Sequence, residues 1–322
     1  MMPTDSAGGD VPDEVRDLAA RREEARRKKD FAAADEIRER IRQAGFEVTD
    51  AAGGPRLARR DPSTVEPAPA GPVSRPEDVA NRLREASTVD ASAHWLVQGW
   101  PEDVRRGIAS FDRQAHGFTV QHVVVDVRED AGAGEAPWGE VDLIRLPVGT
   151  GWSAARNAGL LRSAGKMVLV MDGSVELNGD VLGPLRDALA DPTVGLTGPF
   201  GIVTGDLRQF HESPGPDVDA VEGYLMAFSR TLLQDGLRFD EKFKFYRTAD
   251  IELSFQVKAR GLRATVTSLP IIRHQHRVWA STPEDERSRL SKRNYYRFLD
   301  RWRGRTDLLV HPDEHRHEPG HR

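Results

Sequence analysis

The sequence contains no cysteine among its 322 residues. This absence excludes disulfide bonds and every metal site that depends on thiolate ligands. Long apolar runs are also lacking, since stretches such as residues 167–171 are far shorter than the roughly 20 residues that a membrane-spanning helix needs. The first residues, MMPTDSAGGD, have neither a basic start nor an apolar core. We therefore expect a cytoplasmic protein without a secretory signal.

The composition indicates a globular chain. Apolar residues make up 38% and charged residues 30% of the sequence, which is typical of a folded protein with one large domain and an appendage. The net charge of -5 provides no overall attraction to nucleic acids or anionic membranes. We expect four parts: a helical hairpin in residues 1–50, a linker in 51–88, a large domain in 89–304 and a polar tail in 305–322.

Apolar spacing predicts the helical hairpin in residues 13–48, because its apolar side chains recur at the helical period. Asp30 is the expected cap of the second helix, and Gly45 is expected to close the hairpin. The predicted core positions are Val15, Leu18, Ala19 and Ala25 on the first helix and Phe31, Ala34, Ile37 and Ile41 on the second. Residues 51–77 are rich in Pro, Gly and Ala, which predicts a linker without a core.

Strand and helix patterns alternate between residues 89 and 304. The pattern predicts a mainly parallel sheet covered on both faces. The expected strands span residues 93–98, 120–127, 141–146 and 167–171, and a helix is expected to open at Pro101. Within GTGWSAARNAGLLRSAGKMVLVMDGSVELNG, Ser153 is the expected helix cap and Gly165 the expected helix end.

Two aspartates follow predicted strands. Asp126 and Asp172 each come at the carboxyl end of a strand, and these ends meet at one edge of a parallel sheet. Ligands bind at that edge in open α/β folds, because its loops are held rigidly yet are free of packing duties. The alternative is that Asp172 is a turn residue or a cap.

Several ordered motifs resemble one known family. They are HVVVDV (residues 122–127), IRLPVGTGWSAARNAGL (144–160), VLVMDGSVEL (168–177), GLRFDEKFKFYRTADIELSFQVKARG (236–261) and LPIIRHQH (269–276). Together they resemble the family 2 glycosyltransferases, which have the GT-A fold. The resemblance covers roughly residues 93–300. It implies an α/β domain with a Rossmann-like nucleotide-binding half, preceded here by the α-helical hairpin.

The resemblance implies residues for the donor, a nucleoside-diphosphate sugar. It maps Asp126 onto the carboxylate that contacts the base, Arg156 onto a polar position beside the nucleotide, and Asp172 onto the first acid of the Asp-x-Asp motif. Here that motif ends in Ser174, so a hydroxyl replaces the second carboxylate. Arg156 could equally form an ordinary ion pair on a helix surface.

The resemblance also implies a divalent cation, Mn²⁺ or Mg²⁺. Because Ser174 offers no anionic oxygen, the cation would depend on Asp172, on His274 or His276, and on the phosphates of the donor. The two histidines are two residues apart on a predicted strand, which places them on one face. The alternative for both is a plain polar strand end, and Glu176 is a further candidate ligand.

The resemblance places a catalytic base at Asp250, within the sequence Ala249-Asp250-Ile251-Glu252. Glu252 is the second catalytic candidate. Asp250 also lies at a predicted helix start, where a negative charge is favoured by the helix dipole, so a purely stabilising role stays open. The transfer is expected to be inverting.

The N-terminal segment has a resemblance of its own. Residues 14–57 resemble the C-terminal helical segment of cysteinyl-tRNA synthetases, which would imply contact with RNA. Residues 1–60 hold 13 Lys plus Arg against 13 Asp plus Glu, so the segment exerts no net pull on phosphates. A solvated helix face or a hairpin that docks on a protein partner is therefore favoured over nucleic acid.

The sequence as a whole indicates a glycosyltransferase that moves a sugar to an acceptor hydroxyl. Two other functions stay open at this point. The missing acid at Ser174 favours a degenerate GT-A module that binds a nucleotide sugar or a protein without transfer. An RNA-associated adaptor depends on the hairpin alone.

Overall fold

The computed structural model describes residues 11–28, 34, 37, 40, 41, 44, 46–51, 54–59, 75–129 and 138–312. The chain divides into two compact units, Met1–Pro69 and Ala70–Arg322. No helix of the described ranges is long and apolar enough to cross a membrane.

The N-terminal unit contains helix α1 (Asp13–Arg27) and an antiparallel pair of strands, β1 (Phe46–Ala51) and β2 (Gly54–Arg59). Ala34, Ile37, Arg40 and Ile41 are also helical. A small core joins the elements, consisting of Val15, Leu18, Ala19, Ile41, Phe46 and Val48. The predicted burial is confirmed for Val15, Leu18, Ala19 and Ile41, whereas Ala25 is only partly buried. Asp30, Phe31 and Gly45 lie outside the described residues.

The structure differs from the predicted boundaries at three places. Strand β2 lies where a linker was predicted, because Val48 and Leu57 supply apolar contacts that a composition average hides. Val79 and Leu83 belong to the core of the second unit, although they were placed in the linker. The predicted tail is anchored at its start, since Leu309 is buried and the Val310 amide donates to Asp219 Oδ1 at 2.7 Å. The ranges 60–74 and 313–322 lie outside the described residues.

An eight-stranded sheet forms the centre of the second unit, in the order β11-β14-β8-β13-β6-β3-β4-β5. Its strands are β3 (Val89–Val97), β4 (Val120–Asp126), β5 (Asp142–Arg145), β6 (Gly165–Met171), β8 (Val194–Gly198), β11 (Asp217–Val218), β13 (Leu225–Ser229) and β14 (Arg263–Val266). Neighbouring pairs are parallel except those made by β13 and by β11. The predicted, mainly parallel sheet is confirmed, and the antiparallel β13 in its middle was not predicted.

Helices cover both faces of the sheet. Consecutive residues of a strand point to opposite faces, so each strand contributes side chains to the apolar clusters on both sides. Val123 and Val125 of β4 belong to one apolar cluster, and Val124 belongs to the other. The helices are α2 (Pro101–Gln114), α3 (Trp152–Leu160), α4 (Leu182–Leu189), α5 (Arg230–Gln234), α6 (Ala249–Lys258), α7 (Arg277–Ser281) and α8 (Glu284–Trp302). Short 3-10 turns span Pro76–Asp78 and Thr306–Leu308.

The ends of α3 differ from the predicted ones. The helix begins at Trp152, so Ser153 is its second residue, and the Trp152 amide donates instead to the carbonyl of Lys244 at 3.1 Å. Gly165 begins β6 and does not end the helix. A Cβ at Gly165 would lie 2.3 Å from the backbone of Ala91, so the close approach of β6 to β3 requires glycine there.

Two small sheets complete the unit. One contains β9 (Gly201–Val203), β10 (His211–Ser213) and β12 (Ala220–Val221), and the other pairs β7 (Val175–Leu177) with β15 (Ile271–Arg273). The second pairing matters for the site, because Arg273 lies opposite Val175. This pairing brings residues 274–276 next to the loop that follows β6.

Candidate active site

Two clefts open at the carboxyl ends of β3 and β6. From β3 the chain continues to β4 on one side, and from β6 it continues through β7 and α4 to β8 on the other side, which makes this edge the switch point where open α/β sheets bind ligands. The smaller cleft is lined by the loop after β3, including Gln98 and Trp100. The larger cleft has a volume of about 250 Å³. Both clefts share Trp152, Asp172, Tyr246 and His276.

Asp172 follows β6 as predicted and faces both clefts. Its Oδ1 accepts hydrogen bonds from the Ser174 amide at 2.9 Å and the Ser174 hydroxyl at 2.5 Å. Its Oδ2 lies 3.2 Å from His276 Nε2. Burial raises the pKa of Asp172, but the hydrogen bonds from His276 and Ser174 outweigh it and hold the pKa well below its usual range. Asp172 is therefore a permanent negative charge at the junction of the clefts.

His276 is fixed in one tautomer. Its Nδ1 accepts a hydrogen bond from the Trp279 amide at 3.0 Å, which caps α7. An accepting Nδ1 carries no proton, so the proton of the neutral ring lies on Nε2 and is donated to Asp172. The ring also lies 4.6 Å from that of Tyr246. His276 thus connects Asp172 to the helix that carries Trp279.

The predicted pairing of the two histidines does not occur. Strand β15 ends at Arg273, so the alternation that would have placed both side chains on one face no longer applies. His274 Nε2 lies 2.9 Å from Glu176 Oε2. Glu176 also accepts from Arg113 at 3.0 Å. The structure therefore brings His276 to Asp172 and leaves His274 and Glu176 outside both clefts.

Asp172 and His276 offer a partial ligand set for a divalent cation. Carboxylate oxygen and imidazole nitrogen both suit Mn²⁺. Within the described residues, no group of three His, Cys, Asp or Glu side chains gathers as a cation site. A cation on Nε2 would also require the proton of His276 to move to Nδ1, at the cost of the bond from Trp279. The residues fit a cation only if phosphate oxygens of a ligand complete the set.

Arg156 is buried beneath the smaller cleft. Its Nη1 donates to the carbonyl of His94 at 2.9 Å and its Nη2 donates to that of Met171 at 2.8 Å. Burial lowers the pKa of Arg156 to about 10, against the opposing effect of Asp172. The guanidinium therefore joins the ends of β3 and β6 and provides positive charge behind Asp172. An ion pair on a helix surface, the alternative for this residue, is not what the structure shows.

Asp126 ends β4 as predicted but lines neither cleft. Its side chain is fully buried against Arg128, whose Nε and Nη2 donate to the two carboxylate oxygens at 3.0 and 2.7 Å. The sequence analysis did not foresee this pair. As placed, Asp126 can receive a nucleoside base only if Arg128 moves.

Asp250 lies in the first turn of α6 and lines the larger cleft together with Asp172. Its oxygens accept from the amides of Gly223 and Ile251, each at 2.9 Å. Burial raises the pKa of Asp250, although these hydrogen bonds oppose the rise. A Cβ at Gly223 would lie 2.9 Å from Cβ of Asp250, so glycine allows this close approach. A carboxylate with a raised pKa in a cleft is suited to accept a proton.

Glu252 does not join Asp250. Two residues along a helix are separated by about 200° around its axis, so their side chains point to different sides. Glu252 is buried, and its Oε2 accepts from Gln256 of the same helix at 2.7 Å, while its Oε1 accepts from Arg301 of α8 at 2.5 Å. It lines neither cleft. Its geometry is that of a structural ion pair.

The larger cleft contains residues that the sequence analysis missed. They are Glu222, Tyr224, Arg247, Arg273 and Trp279. Burial and the negative charge of Asp250 raise the pKa of Glu222. The only signal in the sequence was Gly223, two residues after the short strand β12, and a glycine does not identify the residue it approaches.

Two strained residues flank the clefts. Trp100 and Thr248 have φ of 49° and 73°, in the left-handed region that non-glycine residues seldom occupy. Trp100 directly precedes α2 at the smaller cleft, and Thr248 directly precedes α6, two residues before Asp250. Such strain concentrates at functional sites, where the surrounding structure must hold it in place.

Two separate parts of the chain match different known families. Residues 8–54 match the family model described as "Cysteinyl-tRNA ligase anticodon binding domain". A cysteine–tRNA ligase of Rubrobacter xylanophilus is 44% identical over 52 residues, and that of Methanosarcina mazei is 41% identical over 58 residues. These matches cover 16% and 18% of this chain but only 11% and 12% of the ligases. The predicted resemblance of the N-terminal segment is confirmed.

Solved structures resemble about two thirds of this chain or more. A crystal structure of GalNAc-T7 with UDP, GalNAc and Mn²⁺ has a TM-score of 0.55 at 14% identity, and the match covers 68% of this chain and 49% of that chain. A mannosyltransferase of Pyrobaculum calidifontis, PcManGT, in complex with GDP-Man and Mn²⁺, has a TM-score of 0.49 at 17% identity over 72% of this chain and 71% of that chain. The GalNAc-T7 match confirms the GT-A fold.

The family assignment concerns the middle of the chain. Residues 128–249 match the family model described as "Glycosyl transferase family 2". This range includes Arg156, Asp172 and Ser174 and ends just before Asp250. The resemblance to the family 2 glycosyltransferases is thereby confirmed for the segment that supplies Trp152, Asp172 and Tyr246 to both clefts.

Proposed function

We propose that the protein is a glycosyltransferase that moves a sugar from a nucleoside-diphosphate sugar to an acceptor hydroxyl with inversion. The observation that carries the proposal is that Asp172 and Asp250, from distant parts of the chain, line one cleft. One is held charged and the other has a raised pKa. Two carboxylates with opposite pKa shifts are suited to different tasks in one reaction.

The donor is expected in the smaller cleft, with its diphosphate near Asp172. In the absence of a cation, His276 Nε2 and the Ser174 hydroxyl are the groups that can donate hydrogen bonds to phosphate oxygens there. Arg156 adds a fixed positive charge behind them. Asp126 is proposed to contact the base of the nucleotide, which requires its pair with Arg128 to open.

A divalent cation, Mn²⁺ or Mg²⁺, would be held by Asp172 and His276 with phosphate oxygens of the donor. Its chemistry there is to neutralise the charge of the departing diphosphate. Ser174 contributes a neutral oxygen beside Asp172 where the related motif has a second carboxylate. His274, the third predicted ligand, contacts Glu176 instead.

The acceptor is expected in the larger cleft beside Asp250. The acceptor oxygen attacks the anomeric carbon, the bond from that carbon to the diphosphate oxygen breaks, and the hydroxyl proton passes to a carboxylate oxygen of Asp250. A single displacement of this kind inverts the anomeric centre. Burial favours the reaction, because it raises the proton affinity of Asp250.

The N-terminal unit is proposed to dock on a protein partner. Its matched positive and negative charges give no electrostatic reason for binding nucleic acid. A cytoplasmic location stays a prediction from the sequence.

Isothermal titration calorimetry with UDP and GDP, with and without Mn²⁺, tests the proposal. We expect micromolar binding that Mn²⁺ tightens, and Asp172→Ala should lose most of that tightening. Unchanged binding in Asp172→Ala would remove Asp172 from the donor site. A nucleotide affinity that does not change with Mn²⁺ would support a metal-independent mode in which Ser174 and His276 contact the phosphates directly.

A second candidate is a GT-A module that binds a nucleotide sugar or a protein without transfer. The neutral Ser174 and the proton between His276 and Asp172 favour it, because both weaken a cation site. Nucleotide binding without transfer or donor hydrolysis under any condition would support this candidate.

A further inference from the structure

Arg247 shares the larger cleft with Asp250. It directly precedes Thr248, whose left-handed backbone begins α6, so one short segment positions both side chains. The guanidinium carbon of Arg247 lies 5.3 Å from the ring centroid of Trp279. Burial raises the pKa of Asp250, and the positive charge of Arg247 is among the effects that oppose this rise, which places the two groups within electrostatic reach.

Arg247 forms no ion pair within the described part of the chain. Its guanidinium contacts the ring of Trp279, and it acts on the carboxylates of Asp250 and Glu222 only through longer-range charge. The other arginine of this cleft is engaged differently. Arg273 lies 3.8 Å from Glu222 and 3.7 Å above the ring of Tyr224. Arg247 is therefore the cation in this cleft with capacity for a ligand.

We propose that the acceptor carries an oxyanion, a phosphate or a carboxylate, that Arg247 binds while the acceptor hydroxyl reaches Asp250. This inference depends on the proposed function, since it names the acceptor class of the same site. A guanidinium held against an aromatic ring loses little freedom when it forms paired hydrogen bonds to a planar or tetrahedral oxyanion. The donor diphosphate is expected at Asp172 and His276, which leaves Arg247 for the acceptor.

Arg287 provides a matched control. Its guanidinium carbon lies 4.5 Å from the same ring of Trp279, and its Nη1 donates to the Trp279 carbonyl at 3.2 Å. Arg287 does not line the cleft. Replacing either arginine with glutamine removes one positive charge beside Trp279, but only Arg247→Gln removes it from the cleft.

The test is calorimetric titration of the full chain, with and without UDP or GDP. The paired probes are glycerol phosphate against glycerol, and glucuronate against glucose. We expect the charged member of each pair to bind more tightly, and more weakly as salt is added. Arg247→Gln should lower that affinity at least about tenfold, whereas Arg287→Gln should leave it within about twofold, since an ion pair to a guanidinium is worth roughly one factor of ten.

A lipid could supply the same chemistry. Vesicles of phosphatidylcholine with phosphatidic acid, compared with phosphatidylcholine alone, distinguish this source from a small soluble acceptor. Binding that depends on Arg247 in either arm supports the proposal. Equal binding of charged and neutral probes, or equal losses in Arg247→Gln and Arg287→Gln, would overturn it. A loss of UDP or GDP affinity in Arg247→Gln would assign Arg247 to the donor instead. Absence of nucleotide binding in the unmodified protein would contradict the proposed function separately.

Discussion

The imidazole of His276 links the two clefts. Its Nε2 lies 3.2 Å from Oδ2 of Asp172, and its Nδ1 accepts a hydrogen bond from the amide of Trp279. The two clefts are therefore joined through a single side chain. A change at Asp172 has a direct structural route to the helix that carries Trp279.

His276→Ala should weaken the binding of a nucleoside diphosphate at least about tenfold, because a hydrogen bond to a charged group contributes roughly 1.5–3 kcal/mol. His274→Ala is the matched control, since His274 contacts Glu176 outside the clefts. Calorimetry with and without Mn²⁺ checks both variants. Equal losses in the two variants would show that the histidines act together, as their spacing first predicted.

Arg301→Met should destabilise the fold without affecting nucleotide binding. The change leaves the buried carboxylate of Glu252 without its charged partner, at a cost of about 1–3 kcal/mol, since Arg301 is itself half-exposed. Glu252→Gln should cost less, because the amide can keep its contact with Gln256. Urea denaturation measures both effects. If Glu252→Gln abolished transfer in a stably folded protein, Glu252 would have to be returned to the catalytic group.

Stability should fall as the pH is lowered below about 6.5. Burial lowers the pKa of His94 to about 3 and that of His122 to about 4 from the usual 6.5. The unfolded chain binds these protons first, so their contribution is complete above pH 6.5 and is lost as the pH falls towards the folded values. Each histidine adds a slope of about 1.4 kcal/mol per pH unit in this window.

Urea denaturation between pH 7 and pH 5 checks this dependence. His94→Gln should remove about half of the pH slope that the two buried histidines contribute together. His211→Gln, at an exposed position, should leave the slope unchanged. A slope that is the same in His94→Gln and in the unmodified protein would show that His94 is protonated in the folded state.

Deletion of residues 1–74 should leave the second unit folded, with a melting temperature shifted by only a few degrees. A chain that lacks residues 1–86 should have a far lower melting temperature. It removes Val79 and Leu83 from the core, together with the carbonyls of Arg82 and Glu85 that accept from Arg230. Differential scanning calorimetry of both chains decides this. Early melting of the shorter deletion would show that the second unit needs the first.

Much of the fold follows from local patterns. The strand before Asp172, the helix that opens at Pro101 and the helix start at Asp250 each depend on apolar spacing and end residues within about ten positions. The antiparallel β13 could not be predicted in this way, because strand order depends on contacts between distant residues. The strand β2 was missed because alanine, glycine and proline dominate its surroundings.

The site was predictable in part. Asp172 and Asp250 lie at the clefts, where a strand end and a helix start position them, and their roles stay predictions. His274 does not lie beside His276, because the strand ends at Arg273 and its alternation stops there. Glu252 points away from Asp250 because the helix continues, and two residues along it are about 200° apart. Glu222 and Arg247 have no sequence signal of their own, because tertiary packing alone brings them beside Asp250.

Sugar transfer by Asp250→Asn tests the account most directly, because the change keeps the shape of the side chain and removes the base. We predict unchanged nucleotide affinity and melting temperature, and a transfer rate that falls by a factor on the order of 10² to 10⁴. Glu252→Gln, the matched control two residues away, should retain transfer. The assay measures transfer to an acceptor, or donor hydrolysis as its substitute. Full transfer by Asp250→Asn would contradict the account, since the cleft would then hold its base elsewhere.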